Sequence, residues 1–188
     1  MKVTEEQERA WIEDALDGND EAFQKIINAY HTTVERFARQ IGVQDQDIQD
    51  VTQEVFIKVY RFLYKYSRGK FSTWLYSVTL NVSKDFFRKQ KREKVKMMKA
   101  IQEGPATFYE DNLDLSEDAR VLHDAIQRLD EKYKVPIVLF YFHDASIKEI
   151  AVIMNSREAT VKTRLKRGKD MLKKGLKEGG SINEPRAL

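Results

Sequence analysis

Apolar residues in this chain return at three- and four-residue steps. Phe23, Ile26, Ile27, Tyr30, Val34, Phe37 and Ile41 form one such series, and Ile48, Val51, Val55, Val59 and Phe62 form the next. That spacing keeps one face of an α-helix apolar, and no run alternates at period two for long. Only three prolines and eight glycines interrupt 188 residues. The chain is therefore predicted to be all-α. A first helix covers about Thr4–Leu16 and is stopped by "DGND" (17–20), where Asn19 or Asp20 caps the second. The second runs to about Gln40. "GVQDQD" is a turn with Asp45 or Asp47 as the next N-cap. After the third helix, "YSRGK" (66–70) is a loop and Ser72 caps a fourth helix.

The period fails at "IQEGPATFYEDNLDLSED" (101–118) and returns at Ala119–Leu129 and Tyr133–Phe142. Pro136 falls early in that last segment, where a missing N–H does least harm. The expected organisation is a domain over 1–93, a linker over 94–118, a second domain over 119–178 and a disordered tail over 179–188. The acidic, amphipathic start "MKVTEEQERAWIEDAL" is unlike a signal peptide, and "VPIVLFYF" (135–142) is too short to span a bilayer. A cytoplasmic protein without membrane insertion is the expectation. Cysteine is absent, which excludes disulfides and cysteine-based metal sites or nucleophiles.

The net charge of +3 hides strong segregation. Residues 1–57 carry 5 Lys/Arg against 13 Asp/Glu, a net −8, and residues 58–99 carry 13 against 2, a net +11. Residues 100–131 carry 2 against 9, a net −7, and residues 132–178 carry 12 against 5, a net +7. Two dense basic blocks attract polyanions, nucleic acid above all, by counterion release.

The second basic block has helix-turn-helix logic. In "SIKEIAVIMNSREATVKTRLKRGKDMLKK" (146–174), Ser146 and Glu149 form a capping box. Asn155 stands where the chain turns sharply, a place where Asn tolerates the left-handed conformation. Val161, Leu165, Gly168 and Leu172 form a buried side; Lys162, Thr163, Lys166, Arg167, Lys169 and Lys173 face outward. Such a helix enters the major groove, although an amphipathic hairpin with a solvated basic face has the same pattern. The first basic block, "KFSTWLYSVTLNVSKDFFRKQKR" (70–92), joins rings to cations. Leu75, Val78, Val82 and Phe86 share a core face, while Trp74, Ser77, Asn81, Lys84, Arg88 and Lys91 lie along another. Rings stack on unpaired bases, cations hold phosphates, and an Asn reads a base edge. Trp74 and Tyr76 fit either that surface or the core.

"DIQDVTQEVFIKVYRFL" (47–63), the aromatic-basic segment and a helix-turn-helix ending in "TVKTRLKRGKDML" occur in this order. Together they resemble a bacterial sigma-70-family factor of the compact extracytoplasmic-function (ECF) group, over about residues 18–176. The resemblance implies two small helical domains, a region 2-like bundle and a region 4-like helix-turn-helix domain, joined by a flexible linker. It implies a cytoplasmic initiation factor that binds core RNA polymerase through the β′ clamp helices and the β subunit. It further implies recognition of −35 and −10 promoter elements, capture of the melted non-template strand and an anti-sigma factor partner. Asp50, Gln53, Glu54 and Ile57 would dock on polymerase. Arg68, Lys70, Phe71, Trp74, Asn81, Lys84, Arg88 and Arg92 would meet the −10 single strand, with loop 66–71 and Asn81 pocketing a flipped base. Arg157, Thr160, Lys162, Thr163, Lys166, Arg167 and Lys169 would meet the −35 element. Where primary sigma factors carry a tryptophan pair, Ser77 and Val78 stand here. Arg157 occupies a position where the family often has a small capping residue, so a cap at Ser156 would shift the recognition helix by one.

Two other classes compete. An autonomous helix-turn-helix regulator explains residues 132–178 but not the acidic third helix. An enzyme finds little support: His31, His123 and His143 are scattered, no phosphate-binding Gly-rich loop occurs, and no cofactor, metal or small-molecule substrate is implied.

Overall fold

In the computed structural model, the structure describes residues 3–66, 69–100 and 117–178. Among these residues eight α-helices occur in order: α1 (Glu5–Leu16), α2 (Asp20–Gln40), α3 (Asp45–Phe62), α4 (Phe71–Ala100), α5 (Glu117–Gln127), α6 (Glu131–Phe142), α7 (Ile147–Ile153) and α8 (Glu158–Glu178). A 3₁₀ turn, Leu63–Lys65, follows α3, and no strand occurs among the described residues. The helices form two compact units, one built on α1–α4 and one on α5–α8. The all-α expectation holds. Residues 101–116 of the expected linker and the expected tail, 179–188, lie outside the described residues; residues 94–100 continue α4, and Glu117 already belongs to α5.

Local chemistry sets the helix ends, not always at the expected residue. Thr4 is the cap of α1 rather than its first residue, in a reciprocal box with Gln7. Asn19 caps α2: its Oδ1 accepts the N–H groups of Glu21 and Ala22 at 3.0 and 3.1 Å. Gln44, not Asp45 or Asp47, stands at the N-cap of α3 and makes no side-chain bond there. The two carboxylates lie instead within the first turn, where they favour the positive end of the helix dipole. Ser72 is likewise inside α4. The Lys70 carbonyl accepts from Thr73 and Trp74, so the helix starts one residue before the expected cap.

The first unit is built around Ile26, Val34, Phe37, Val51, Val55, Val59, Phe71 and Leu75, all nearly or completely buried. Phe62 departs from its stripe and is 39% exposed. Leu63, four residues after Val59, takes the inward place and is buried. On α4, Leu75 and Val82 are buried while Val78 and Phe86 are half-buried against the core. Thr79, Leu80 and Ser83 are buried too. This helix meets α3 and, through the edge-to-face contact of Tyr76 with Phe37, also α2, so its buried face is wider than one stripe. Thr79 satisfies its hydroxyl by donating to the Leu75 carbonyl at 2.9 Å.

In the second unit, Val135, Ile137, Val138, Leu139, Ile150 and Val161 form the buried centre. The capping box at α7 is complete: Ser146 N donates to Glu149 Oε2 at 2.7 Å, and Glu149 N donates to Ser146 Oγ at 3.3 Å. Asn155 adopts φ +46°, and the N–H groups of Ser156 and Asn155 return to the carbonyls of Ala151 and Val152. That double return is the Schellman arrangement, which turns the chain between α7 and α8. Gly168 lets α8 approach α6 closely. A Cβ at this position would stand 3.1 Å from Ile137 Cγ1 and 3.5 Å from Tyr133 Cβ. Gly168→Leu is expected to overpack the contact and cost about 1–3 kcal/mol, measured as a lower urea midpoint of the full chain. A midpoint at or above that of the natural protein would mean that α6 has room to give way.

Candidate polymerase and nucleic-acid surfaces

On α3, the residues at three- and four-step spacing that are not in the core point outward. Asp50, Gln53, Glu54 and Ile57 are all exposed, Ile57 at 37%. The core stripe Ile48–Val51–Val55–Val59 occupies the opposite side. Beside this acidic face runs a groove of about 590 Å³ between α2 and α3, lined mainly by Phe23, Ile27, His31, Phe56, Ile57 and Tyr60. The ring of His31 stacks parallel to that of Phe56 at 6.2 Å, and Phe23 meets Tyr60 edge to face at 5.0 Å. Sequence reasoning found the charged rim but not the groove, because the groove is made of residues from two helices that each read as ordinary apolar periodicity.

The rings of the first basic block divide sharply. Phe71 is completely buried, so its ring belongs to the core and has no face for a base. Tyr76 packs on Phe37. Trp74 is half-buried against the core, with its ring 5.7 Å from Phe71 and 5.8 Å from Tyr66. Asn81 is exposed, two helical turns beyond Trp74 and on the same side. Lys84 is half-buried, while Arg88 and Arg92 are exposed. Arg88 pairs with Asp85 at 3.2 Å, and Lys58 approaches the same carboxylate at 3.6 Å. Exposed pairs of this kind are worth about 0–1 kcal/mol, so a phosphate can displace Asp85 from Arg88. Lys70 is exposed beside the loop, and Arg68 lies outside the described residues.

Tyr66 and Gly69, on either side of residues 67–68, make contacts that the sequence pattern does not reveal. Tyr66 Oη donates to the Gly69 carbonyl at 2.7 Å, and Gly69 adopts φ +93°, a conformation open to glycine at little cost. The Tyr66 ring meets Phe71 edge to face at 5.4 Å, and Tyr30 meets Phe71 from α2 at 5.3 Å. Tyr30 Oη donates in turn to the carboxylate of Glu8 on α1. Burial, then the Glu8 bond and charge, push the Tyr30 phenol far above its ordinary pKa. Burial, with Glu8 adding and Arg9 opposing, raises that of Tyr66. Both phenols therefore stay protonated donors at neutral pH.

On α8, the Arg157 carbonyl accepts the Val161 N–H at 3.1 Å. Arg157 is thus the backbone cap, and the helix does not shift to a Ser156 cap. Arg157, Lys162, Thr163, Lys166, Arg167 and Lys169 are exposed, and Thr160 is half-buried. Val161 and Gly168 are buried and Leu165 and Leu172 half-buried, as the period predicts. Thr163 donates its hydroxyl to the Ala159 carbonyl at 3.0 Å, which leaves its oxygen free to accept. Phe140, Tyr141 and Phe142 at the end of α6 are exposed as well, at 38%, 53% and 43%. The sequence pattern marks this run as the end of a helix too short for a bilayer, not as an exposed apolar patch; no helix among the described residues is long and apolar enough to cross a membrane.

Comparison with known proteins covers most of the chain. Residues 26–93 match the family pattern of Sigma-70 region 2, and residues 119–172 match that of Sigma-70, region 4. The ECF RNA polymerase sigma factor SigW of Bacillus subtilis is 29% identical over 178 residues, covering 89% of this chain and 95% of that protein. The ECF RNA polymerase sigma-E factor of Haemophilus influenzae is 30% identical over 177 residues, covering 88% and 93%. In fold, the chain is similar to the sigma factor RpoE of Bartonella quintana, solved with the anti-sigma factor NepR. The TM-score is 0.68 at 20% identity, over 82% of this chain and 96% of that one. With the acidic helix, the ring-and-cation helix and the helix-turn-helix in family order, and with relatives aligned nearly end to end, the chain belongs to the extracytoplasmic-function group of sigma-70-family RNA polymerase sigma factors.

Proposed function

We propose that this ECF sigma factor directs core polymerase to its promoters by dividing the work among three surfaces. The exposed face of α3, with Asp50, Gln53, Glu54 and Ile57, docks on the polymerase. The loop before α4, Lys70, Asn81, Lys84, Arg88 and Arg92 hold the melted −10 strand, with Trp74 at the edge of that surface. Helix α8, from Arg157 to Lys169, reads the −35 element. The observation that carries this division is the charge separation: the α3 face is acidic where α4 and α8 are basic. A surface for a protein partner and two for polyanions fit an initiation factor better than an autonomous regulator, which leaves the α3 face without a role. The protein acts as a specificity factor and not as a catalyst. We assign residues 1–93 and 119–178 as its two domains and 94–118 as the connecting segment, its two ends helical in α4 and α5, and place it in the cytoplasm. An anti-sigma factor partner is supported by the NepR complex of the fold neighbour.

Run-off transcription with core polymerase on a promoter library, with and without this chain, tests the function. Expected are specific transcripts and tight promoter binding only when chain and core are combined. Tight, sequence-specific binding of duplex DNA by the free chain would favour the autonomous regulator instead. Within α8, Lys166→Ala or Arg167→Ala is expected to reduce discrimination at −35 bases by about 1–3 kcal/mol per lost bidentate contact. Lys169→Ala or Lys173→Ala is expected to weaken binding on all sequences and lower the salt slope by about one. Equal losses on every sequence for all four variants would make α8 a phosphate clamp.

A further inference from the structure

Along α3 and into α4 the charge of the first unit changes sign. No Asp or Glu occurs from Val55 to Lys84, against six Lys or Arg. Within this stretch, the end of α3 and the 3₁₀ turn after it carry two large rings that none of the three surfaces uses. Phe62 is 39% exposed and Tyr64 66%. Leu63 between them is buried, and its carbonyl accepts the Tyr66 N–H at 2.9 Å. The turn thus sinks Leu63 into the core and leaves its two neighbours outside. The rings stand 6.4 Å apart, tilted by 48°. Lys65 lies over both, its Nζ 4.6 Å from the centre of Phe62 and 5.7 Å from that of Tyr64. Arg61 is exposed in the same segment.

Adjacent exposed rings rimmed by charge mark an interaction site. The charge selects the partner. A polymerase surface that receives the acidic α3 face presents cations, and such a surface repels Arg61 and Lys65. Duplex DNA offers base edges and phosphates but no base faces, so it would leave both rings unused. Unpaired nucleotides offer flat faces to the rings and phosphates to the cations. The location agrees. Tyr64 stands two residues before Tyr66, so their Cα atoms are at most about 8 Å apart. The Tyr66 ring in turn lies 5.8 Å from Trp74, at the edge of the −10 surface. We infer that Phe62 and Tyr64, with Arg61 and Lys65, form a second single-strand platform: the rings stack on unpaired promoter bases beside the base met by Asn81, and the cations hold the phosphates. This rests on the proposed capture of the melted strand, and it adds bases that are held by stacking and not read by hydrogen bonds.

The test uses holoenzyme on a promoter from the library whose −10 region is held open by a mismatched bubble. The readout is the lifetime of the complex, with core affinity and thermal unfolding as controls. Tyr64→Leu keeps apolar bulk and removes the ring; it is expected to shorten the lifetime about fivefold or more, the worth of one stacked base, with both controls unchanged. Tyr64→Phe keeps the ring and should behave like the natural protein. A single abasic site is then moved along the non-template strand of the bubble. At one position the natural protein should lose as much as Tyr64→Leu, and Tyr64→Leu should lose nothing further. If Tyr64→Leu holds the bubble like the natural protein, or if its loss is the same at every abasic position, the platform is overturned. A loss that tracks weaker core binding would overturn it too and assign the rings to a protein partner. Asn81→Ala tests strand capture separately. A shorter lifetime there beside an unaffected Tyr64→Leu would overturn the platform and leave strand capture standing; no effect of either variant would overturn both.

Discussion

Truncating Phe71 to alanine is expected to destabilise the first unit by about 3–5 kcal/mol, the usual cost of removing a large buried ring. The ring has no exposed surface, and it receives Tyr30 and Tyr66 edge to face and Trp74 at a tilt. Alanine leaves a cavity that three aromatic neighbours from α2, the loop and α4 line and cannot easily close. Thermal unfolding of the chain measures the effect. Because folding stabilities are themselves about 5–15 kcal/mol, the variant should be close to unfolding at growth temperature and inactive for that reason. Phe71→Leu, which keeps most of the volume, should recover a large part of the loss. A variant Phe71→Ala that unfolds like the natural protein but fails on melted promoters would return Phe71 to the DNA surface, against its burial.

Phe71 also marks the limit of what sequence periodicity conveys. The period places the helices, the buried stripes of α2 and α8, that of α3 as far as Val59, and the capping box of α7, because each depends on residues a few positions apart. It placed the outward faces as well: Asp50, Glu54, Asn81, Lys166 and Arg167 are exposed where the spacing puts them. The rings were harder. Phe71, Trp74 and Tyr76 lie within six residues, and their separate fates depend on which neighbours arrive from elsewhere: Tyr30 and Phe37 from α2 and Tyr66 from the loop. The Tyr30–Glu8 bond links positions 22 apart, with no local signal in either helix. Caps failed for a related reason. Asp45, Asp47 and Ser72 are all good capping residues, yet the backbone turns one to three positions earlier, at Gln44 and Lys70. The core stripe fixes where each helix must begin, and a cap bond worth about 1 kcal/mol yields to it.

Reversing two charges on α3 is expected to give the largest functional loss. Asp50→Lys with Glu54→Lys should weaken binding to core polymerase by about 2 kcal/mol or more, a factor of about 30 in Kd. The two carboxylates lie one turn apart on a face that shares no residue with the buried stripe. Their reversal replaces two attractive positions by two repulsive ones for any partner that presents cations. The fold should hardly respond. Both residues are exposed and mid-helix, so neither a cap nor the helix dipole is affected, and the pair stays alike in charge, as in the natural sequence. Lys at 54 would face Lys58 across one turn, but Lys58 has Asp85 at 3.6 Å as a partner. The expected stability change is therefore about 0.5 kcal/mol or less. Binding should become more sensitive to salt in the natural protein than in the variant, because only the former gains from opposite charge. The apolar groove beside the face makes the result decisive. Ile57, Phe23 and Tyr60 are untouched by the reversal, so a dock that rested on the groove alone would leave the double variant binding core polymerase like the natural protein. Weakened binding with an unchanged unfolding midpoint instead assigns the acidic rim to polymerase.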